Sequence, residues 1–338
     1  MSVHAMNVAY APGPDALATE DCPLCDGSRS TLLHRVTLRS EDIARTFELR
    51  KCQDCELVFV DPRLSDSELV KLYDEDFYFS TQWPYQTLAS WVIDFIQTSR
   101  RHRIEQHVRS GRLLDIGSGD GRFVHHMAAN GWDATGIDFS PAARDFASQF
   151  SSRARFLVGS LEDYDFRPGR LDLITLWQVL EHIGEPRPLL HRCHDLLDRG
   201  GVLVVSVPNI EGFSSQLTGE RWWGLDVPRH LVHYSPGTLR RALDQAGFRD
   251  IRIRHQLLQY DPYALLHSSL DWVFTQRHFL SDLAKGHVPS DMDARDYAYN
   301  LGVLLLLGPM LTPVCVMTAT ASACLGRGGF IEAFARRD

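Results

Sequence analysis

From residue 112 onward the chain alternates short apolar runs with stretches of helical spacing. Apolar runs fall at 112–116, 134–138, 155–158, 171–176, 202–207, 251–255 and 330–337. Several of them are apolar at consecutive positions rather than at every second one. That is the pattern of strands covered on both faces, as in a parallel sheet. Between them, apolar positions recur every three or four residues, as in Phe123, Val124 and Met127. Ser140-Pro141 starts one such helix with proline in the first turn. Residues 235–247 read as another capped helix, and Gly200-Gly201 as the close of a third. The order predicts an α/β fold with a doubly wound, seven-stranded sheet.

Two regions depart from this rhythm. Before residue 111, residues 56–60 predict a strand and 65–73 a short helix with Ser65 and Glu68 at capping-box spacing. Residues 76–85 are rich in aromatics, suited equally to domain packing and to a ligand wall. Residues 86–108 predict an amphipathic helix with Trp91, Val92, Phe95 and Ile96 on one face, and Arg100, Arg101 and Arg103 read as a solvated face. After residue 256, 257–280 is apolar at helical spacing, and 301–325 has no charged residue. Pro309 and Pro313 split that run, which predicts two short helices. At about 1.5 Å per residue neither half crosses a core of about 30 Å. The last strand pairs near the sixth, so the run returns to where it began. It reads as a lid, a homodimer contact or a membrane-surface contact. The resulting division is a loose arm 1–20, a module 21–60, a helical connector 61–110, a core 111–256, an apolar insertion 257–327 and a last core strand 328–338.

Composition narrows the classes. The 338 residues are 44% hydrophobic and 23% charged, as expected of a globular chain. The net charge of −8 disfavours nucleic acid as a partner. Residues 1–20 lack a basic start followed by an apolar run, so no export signal is expected. Seven cysteines, an odd count, then read as reduced thiols in the cytoplasm. Cys22, Cys25, Cys52 and Cys55 form two C-x-x-C pairs, and four thiolates close a tetrahedral structural zinc site with no open position.

Residues 113–121 read LLDIGSGDG: a strand ending in Asp115, then Gly117, Ser118, Gly119 and Gly121, then a helix start. A glycine turn at a helix N-terminus lets a ligand approach backbone N–H groups. The next strand ends in Asp138, where a carboxylate can accept both hydroxyls of a ribose. Arg122 stands where a dinucleotide fingerprint needs its third glycine, which disfavours an NAD enzyme. The combination of D-I-G-S-G-D-G, G-I-D at 136–138 and L-E-H at 180–182 resembles a class I S-adenosylmethionine (SAM) methyltransferase with its Rossmann-like sheet. The resemblance implies SAM as cofactor. It implies cofactor contacts from Asp115, Gly117, Ser118, Gly119, Asp138, Phe139, Ser160, Leu161 and Trp177. The cysteine pairs, D-P-R-L-S and L-Y-D-E-D-F-Y resemble the zinc-bearing N-terminal segment of bacterial sugar C-methyltransferases. Ubiquinone-pathway O-methyltransferases carry E-x-x-E-H after the fourth strand and can hold a divalent cation there. Here Gln178 replaces the first glutamate, beside Glu181 and His182. The Asp/Asn-Pro-Pro-aromatic pattern of amino-methyltransferases is absent.

The loop 212–234 holds Arg221, Trp222, Trp223, Asp226, Arg229, His230 and His233. Polar and aromatic residues in a long loop at the carboxyl ends of the strands predict substrate contact. His230 is the candidate general base, with His233, Glu181 and His182 in orienting roles. Equally, both loop histidines serve as hydrogen-bonding anchors. The expected reaction is O- or C-methylation of a small or lipid-linked metabolite. The alternative is a SAM-binding regulatory or scaffold protein attached to a membrane through 301–325, peripheral on its cytoplasmic side.

Overall fold

The structure is a computed structural model describing residues 21–39, 44–64, 86–149, 153–256, 259–284 and 292–338. The arm 1–20, the helix expected at 65–73 and the aromatic stretch 76–85 lie outside the described residues. Three antiparallel strands come first, β1 (Ser30–Arg39), β2 (Ala44–Cys52) and β3 (Val58–Asp61). Helix α1 (Gln86–Glu105) leads into β4 (Arg112–Ile116), α2 (Arg122–Ala129), β5 (Asp133–Asp138), α3 (Pro141–Ala147) and β6 (Arg155–Val158). Then come β7 (Leu171–Trp177), α4 (Pro186–Leu196) and β8 (Leu197–Pro208). A loop with α5 (Phe213–Thr218) and β9 (Val232–His233) precedes α6 (Pro236–Gln245) and β10 (Arg249–His255). Helices α7 (Asp261–Leu270), α8 (Phe279–Ala284) and α9 (Ala294–Cys324) precede the last strand, β11 (Phe330–Arg336).

All seven expected runs are strands of one sheet, ordered β10-β11-β8-β7-β4-β5-β6. β4 through β8 pair in parallel, and β11 lies antiparallel between β8 and β10. Leu113 and Leu114 on β4, and Val202 through Val205 on β8, are buried at consecutive positions, because helices cover both faces. The chain winds outward from β4 to β5 and β6, then returns to β7 on the other side. The crevice between β4 and β7 is therefore the topological switch point.

The cysteine module is not a separate body. β9, from the loop after β8, completes its sheet, with Val58 opposite His233 and Phe59 opposite Val232. The Val60 N–H also donates to the Leu231 carbonyl at 2.9 Å. Phe47, Leu57 and Phe59 share one buried cluster with Leu180, Leu231 and Leu239 of the main domain.

Three expectations are corrected. Gly200 and Gly201 do not close a helix. α4 passes at once into β8, and the glycines lie within that strand, at an irregularity in its pairing with β7, with Gly200 at φ 79°. The arginines of α1 are not a solvated face. Arg100 is buried and Arg103 makes a two-pronged pair with buried Glu332 of β11, at 2.9 and 3.1 Å. Ile104 anchors α1 in the core, which turns these arginines toward the sheet.

The insertion holds α7 and α8 instead of one helix over 257–280. The run 301–325 lies in one continuous helix of 31 residues, about 46 Å long at about 1.5 Å per residue. That is long and apolar enough to cross a membrane. Pro309 and Pro313 both sit on its exposed side, so the carbonyls they leave unpaired face open space. The other side packs Leu304, Leu307 and Leu311 against Leu270, Phe274 and Phe279, which holds the two halves in one rod.

Because Phe59 lies in a core shared by module and domain, Phe59→Ala is expected to cost about 3–5 kcal/mol in one cooperative denaturant transition. Two transitions, with only the first one moved, would show an independently folding module.

Candidate functional site

The glycine turn after β4 lies at the switch point. The Gly117 and Ser118 N–H groups both donate to the Ile137 carbonyl, at 2.8 and 3.1 Å, which folds the turn over β5. Gly117 has φ 69°, and a Cβ there would lie 2.5 Å from Val179. Gly119 has φ 50°, yet nothing lies within 4 Å of where its Cβ would be. Its open side is a cradle a ligand can enter. Asp138, at the end of β5, accepts the Gly119 N–H at 2.9 Å and the Ser140 N–H at 3.0 Å. One carboxylate thus ties the turn to the start of α3 and keeps further lone pairs for hydroxyls. Burial raises its pKa, against the two N–H bonds. Phe139, the next residue, is 44% exposed beside it.

The remaining expected cofactor residues are placed less alike. Asp115 is buried one layer down, accepting from the Thr175 hydroxyl at 2.5 Å. Burial pushes its carboxyl up to about 7, opposed by the Thr175 bond and by Arg100. Ser160 is engaged with Asp163, through its N–H at 2.7 Å and its hydroxyl at 3.0 Å. The Leu161 side chain lies in the core. Trp177 closes β7 with Phe123 edge-on at 5.4 Å and the Arg100 guanidinium 4.2 Å above its ring. Arg100 also donates to Tyr260 Oη at 2.7 Å. Sequence reasoning missed this buried cation, because nothing in a run of helix arginines tells which one faces the sheet.

Two residues past Val179 the chain forms a second, buried polar cluster. Glu181 is 1% exposed, and neither of its carboxylate oxygens has a hydrogen-bond partner among the described residues. Burial pushes its carboxyl up to about 8. His182 Nδ1 bonds the Arg229 carbonyl at 3.0 Å, and His230 Nδ1 the Gly224 carbonyl at 2.9 Å. A carbonyl only accepts, so both rings carry their proton on Nδ1, which leaves the basic lone pair of His230 on Nε2. The rings meet edge to face at 4.6 Å. Burial pushes His182 down to about 3, and His230 and His233 to about 4, so all three are neutral imidazoles.

Asp226 stands 3.9 Å from His230 Nε2 and is gripped by Arg229 at 2.9 and 2.7 Å. Burial favours its neutral form, but Arg229 and His230 outweigh that and hold it well below the usual carboxylate range. His233 Nε2 and the Tyr234 hydroxyl are buried and also lack hydrogen-bond partners among the described residues. His230 is anchored through its Gly224 bond and His233 through the β9 ladder, and their rings lie 6.2 Å apart.

One donor group, Glu181, His182 and His230, brings its ligand atoms within 4.8 Å of one another. Gln178 takes no part, since its amide donates to Ser206 Oγ at 2.8 Å. The arrangement gathers buried polar groups two residues beyond Val179, which lies against the glycine turn. On the module, Cys22, Cys25, Cys52 and Cys55 also converge within 4.8 Å.

The comparisons with known proteins point to a methyltransferase domain. Residues 88–253 match the family model described as a methyltransferase domain. Over 179 residues the chain is 28% identical to the ubiquinone biosynthesis O-methyltransferase of Xanthomonas euvesicatoria pv. vesicatoria, across 50% of this chain and 72% of that protein. It is 33% identical over 146 residues to the protein of that name from Cereibacter sphaeroides, across 40% of this chain and 59% of the relative. Against the protein of that name from Xanthomonas campestris pv. campestris, the match spans only 54% of the relative's length. Phosphoethanolamine N-methyltransferase 2 of Haemonchus contortus, solved with S-adenosyl-L-methionine, superposes with a TM-score of 0.51 at 16% identity, covering 83% of this chain and 61% of that one. This last likeness is one of fold.

The Glu181 carboxyl yields a pH prediction. Its ordinary pKa of 4.5 is raised to about 8 in the folded chain. Between those values the folded chain keeps a proton that the unfolded chain has lost, so stability falls as pH rises through that window. Glu181→Gln removes this contribution and is expected to melt higher than wild type at pH 8. Thermal melts at pH 5, 6.5 and 8 check it; an unchanged slope in the variant contradicts the assignment.

Proposed function

We propose that the class I S-adenosylmethionine-dependent methyltransferase domain carried by this chain methylates a small or lipid-linked metabolite at oxygen or carbon. The observation that carries this reading is the juxtaposition of the open Gly119 cradle with the buried cluster reached through Val179. Gly117, Ser118 and Gly119 would face the cofactor, with Asp138 on its ribose hydroxyls and Phe139 and Trp177 as apolar walls. The vacant space at Gly119 and the spare lone pairs of Asp138 fit such a ligand. Asp115 and Leu161 act from beneath, and Ser160 through the turn it shares with Asp163. When bound, S-adenosylmethionine supplies an electrophilic methyl group for in-line displacement.

The chain's own residues then have two tasks. They hold the acceptor in line in a site closed to water, and they remove its proton. His230 Nε2 is the base in this reading. The Gly224 carbonyl fixes its tautomer, and Asp226 stabilises the imidazolium that forms. Glu181 and His233 orient the acceptor through atoms that lack partners among the described residues, and His182 packs edge to face on His230 beside them. The relatives are named for O-methylation in ubiquinone biosynthesis, which supports oxygen as the acceptor atom.

A zinc ion on the four cysteines belongs to the same reading. Four sulfurs about 2.3 Å from one ion lie about 3.8 Å apart. The Cys22–Cys55 and Cys25–Cys52 sulfurs are 3.5 and 3.6 Å apart, and the Asp54 N–H points at the Cys52 sulfur at 3.4 Å. These residues fit the ion. Its role is structural, holding the turn from which β3 departs toward β9.

The open face of α9 supports contact with a bilayer surface. Leu305, Leu306, Met310, Val314, Met317 and Leu325 are exposed there, Leu306 by 68% and Met310 by 65%. The charged residues Asp271, Arg277 and Asp282 lie in the segment that packs along the other face. That favours a helix lying in the membrane interface over one crossing it, and an acceptor delivered from the lipid.

Asp138→Ala is expected to weaken SAM binding by roughly tenfold to a hundredfold, from lost bonds to a charged acceptor. His230→Ala should leave SAM binding within about twofold and lower turnover by about 10²–10⁴-fold. Calorimetry and single-turnover assays separate the two. Unchanged SAM affinity in Asp138→Ala, or equal small losses from His230→Ala and His233→Ala, contradicts these roles.

The full chain is expected to pellet with liposomes and to be released by detergent but not by salt. Leu306→Asp with Met310→Asp should abolish pelleting at unchanged SAM affinity. A soluble dimer that does not pellet would assign the face to a second subunit instead.

A further inference from the structure

We propose that His267, Asp271 and His278 form a second metal site, for a divalent transition ion such as zinc, stapling the end of α7 to the start of α8. His267 lies in the last turn of α7 and Asp271 immediately after it, four residues on and so on the same helix face. His278 directly precedes α8. One ligand atom from each lies within 4.8 Å of the others. His267 Nδ1 and Asp271 Oδ2 are 3.6 Å apart. Two ligands of one tetrahedral ion, each about 2.0–2.2 Å from it, lie about 3.4 Å apart. The His278 backbone N–H already donates to the Asp271 carboxylate, at 3.2 and 3.4 Å, which aims the carboxylate at the ring that follows.

The independent sign of a ligand is His267 itself. Its side chain is 0% exposed, and neither ring nitrogen has a hydrogen-bond partner among the described residues. A buried imidazole must carry a proton on at least one nitrogen in any neutral or charged form, and leaving both unmet is costly. Binding a metal through the nitrogen that faces Asp271 supplies one of the missing partners.

Two imidazoles and one carboxylate are a donor set for zinc, iron, cobalt or nickel rather than for calcium or magnesium. Rings enclose the position: Tyr263 lies 5.9 Å from His267, and Trp223 6.4 Å. The site also has a mechanical reach. Ser268, next to His267, accepts the Trp223 N–H at 2.8 Å. Arg221 donates to the Asp271 carbonyl. Both loop residues lie just ahead of Asp226 and His230, so an ion here braces the first part of that loop, while the cysteine module holds its end.

Full-length chain produced in cobalt-supplemented medium tests this by metal analysis and absorption spectroscopy. Thiolate-bound cobalt gives strong near-ultraviolet charge-transfer bands, whereas cobalt on nitrogen and oxygen gives only weak visible bands. The wild type should carry one cobalt equivalent beyond that accounted for by the thiolate bands. His267→Gln and Asp271→Asn should each lose that equivalent and keep the thiolate bands. Wild-type cobalt confined to the thiolate bands overturns the proposal whatever the variants do. So does an extra equivalent that survives in both variants. The readout is independent of methyl transfer, and a cysteine site that binds no metal would show itself separately, by missing thiolate bands.

Discussion

A two-residue strand decides where the polar groups at the mouth of the sheet stand. Val232 and His233 pair with Phe59 and Val58 of the cysteine module, and one residue earlier Leu231 is held at both ends. Its carbonyl takes the Val60 N–H, and its own N–H donates to the Glu181 carbonyl at 2.8 Å. On the far side Tyr234 bridges to Asn209 at the end of β8. The loop is thus strung between two sheets. Without β3, β9 would have no ladder partner and the Leu231 carbonyl would lose its donor, a cost that buried backbone rarely bears. The four cysteines sit at the turns flanking β1 and β2, immediately before β3. Whatever holds those turns also holds the register of His230 and His233. This makes a structural module part of the site's geometry without placing any of its side chains in the chemistry.

The second constraint is desolvation. Glu181, His182, His230, His233 and Tyr234 are packed where charge is penalised, and among the described residues the Glu181 carboxylate, His233 Nε2 and the Tyr234 hydroxyl find no partner. Each unmatched atom costs about 1–3 kcal/mol. A fold keeps such a cost where a ligand relieves it, and this cluster adjoins the glycine turn through the Val179 contact with Gly117. Asp226 is the exception that keeps its charge, because Arg229 meets it with two bonds. An ionised carboxylate thus stands beside neutral imidazoles as the cluster's fixed charge.

Helix α9 shows how packing overrides a local rule. Proline inside a helix costs about 3 kcal/mol in isolation. Here Pro309 and Pro313 are four residues apart and share the open face, so both interruptions fall on the same side. The opposite side is locked onto α7 and the segment after it, including a bond that the Thr275 N–H donates to the Asn300 amide oxygen at 3.0 Å. The uncharged run 301–325 is apolar on every side, so its own pattern does not say which face is inside. The partner helix chooses, and what is left outward is an apolar strip.

The sequence by itself determined the seven core strands, their alternation with helices, the glycine turn, Asp138 at the next strand end and the convergence of four cysteines. These features are local. Period, turn chemistry and short spacings are imposed by backbone geometry within a few residues, and a strand buried on both faces announces itself in its own composition. Tertiary structure decided the rest. Arg100 and Arg103 face the sheet although neighbouring arginines look alike in the chain. His182 meets His230 across a loop, Gln178 turns away to Ser206, and β9 joins a sheet whose other strands lie far earlier in the chain. The helix through Pro309 and Pro313 is continuous only because α7 lies against it. Each of these depends on which surfaces meet, and periodicity within one segment carries no record of the partner that segment will find.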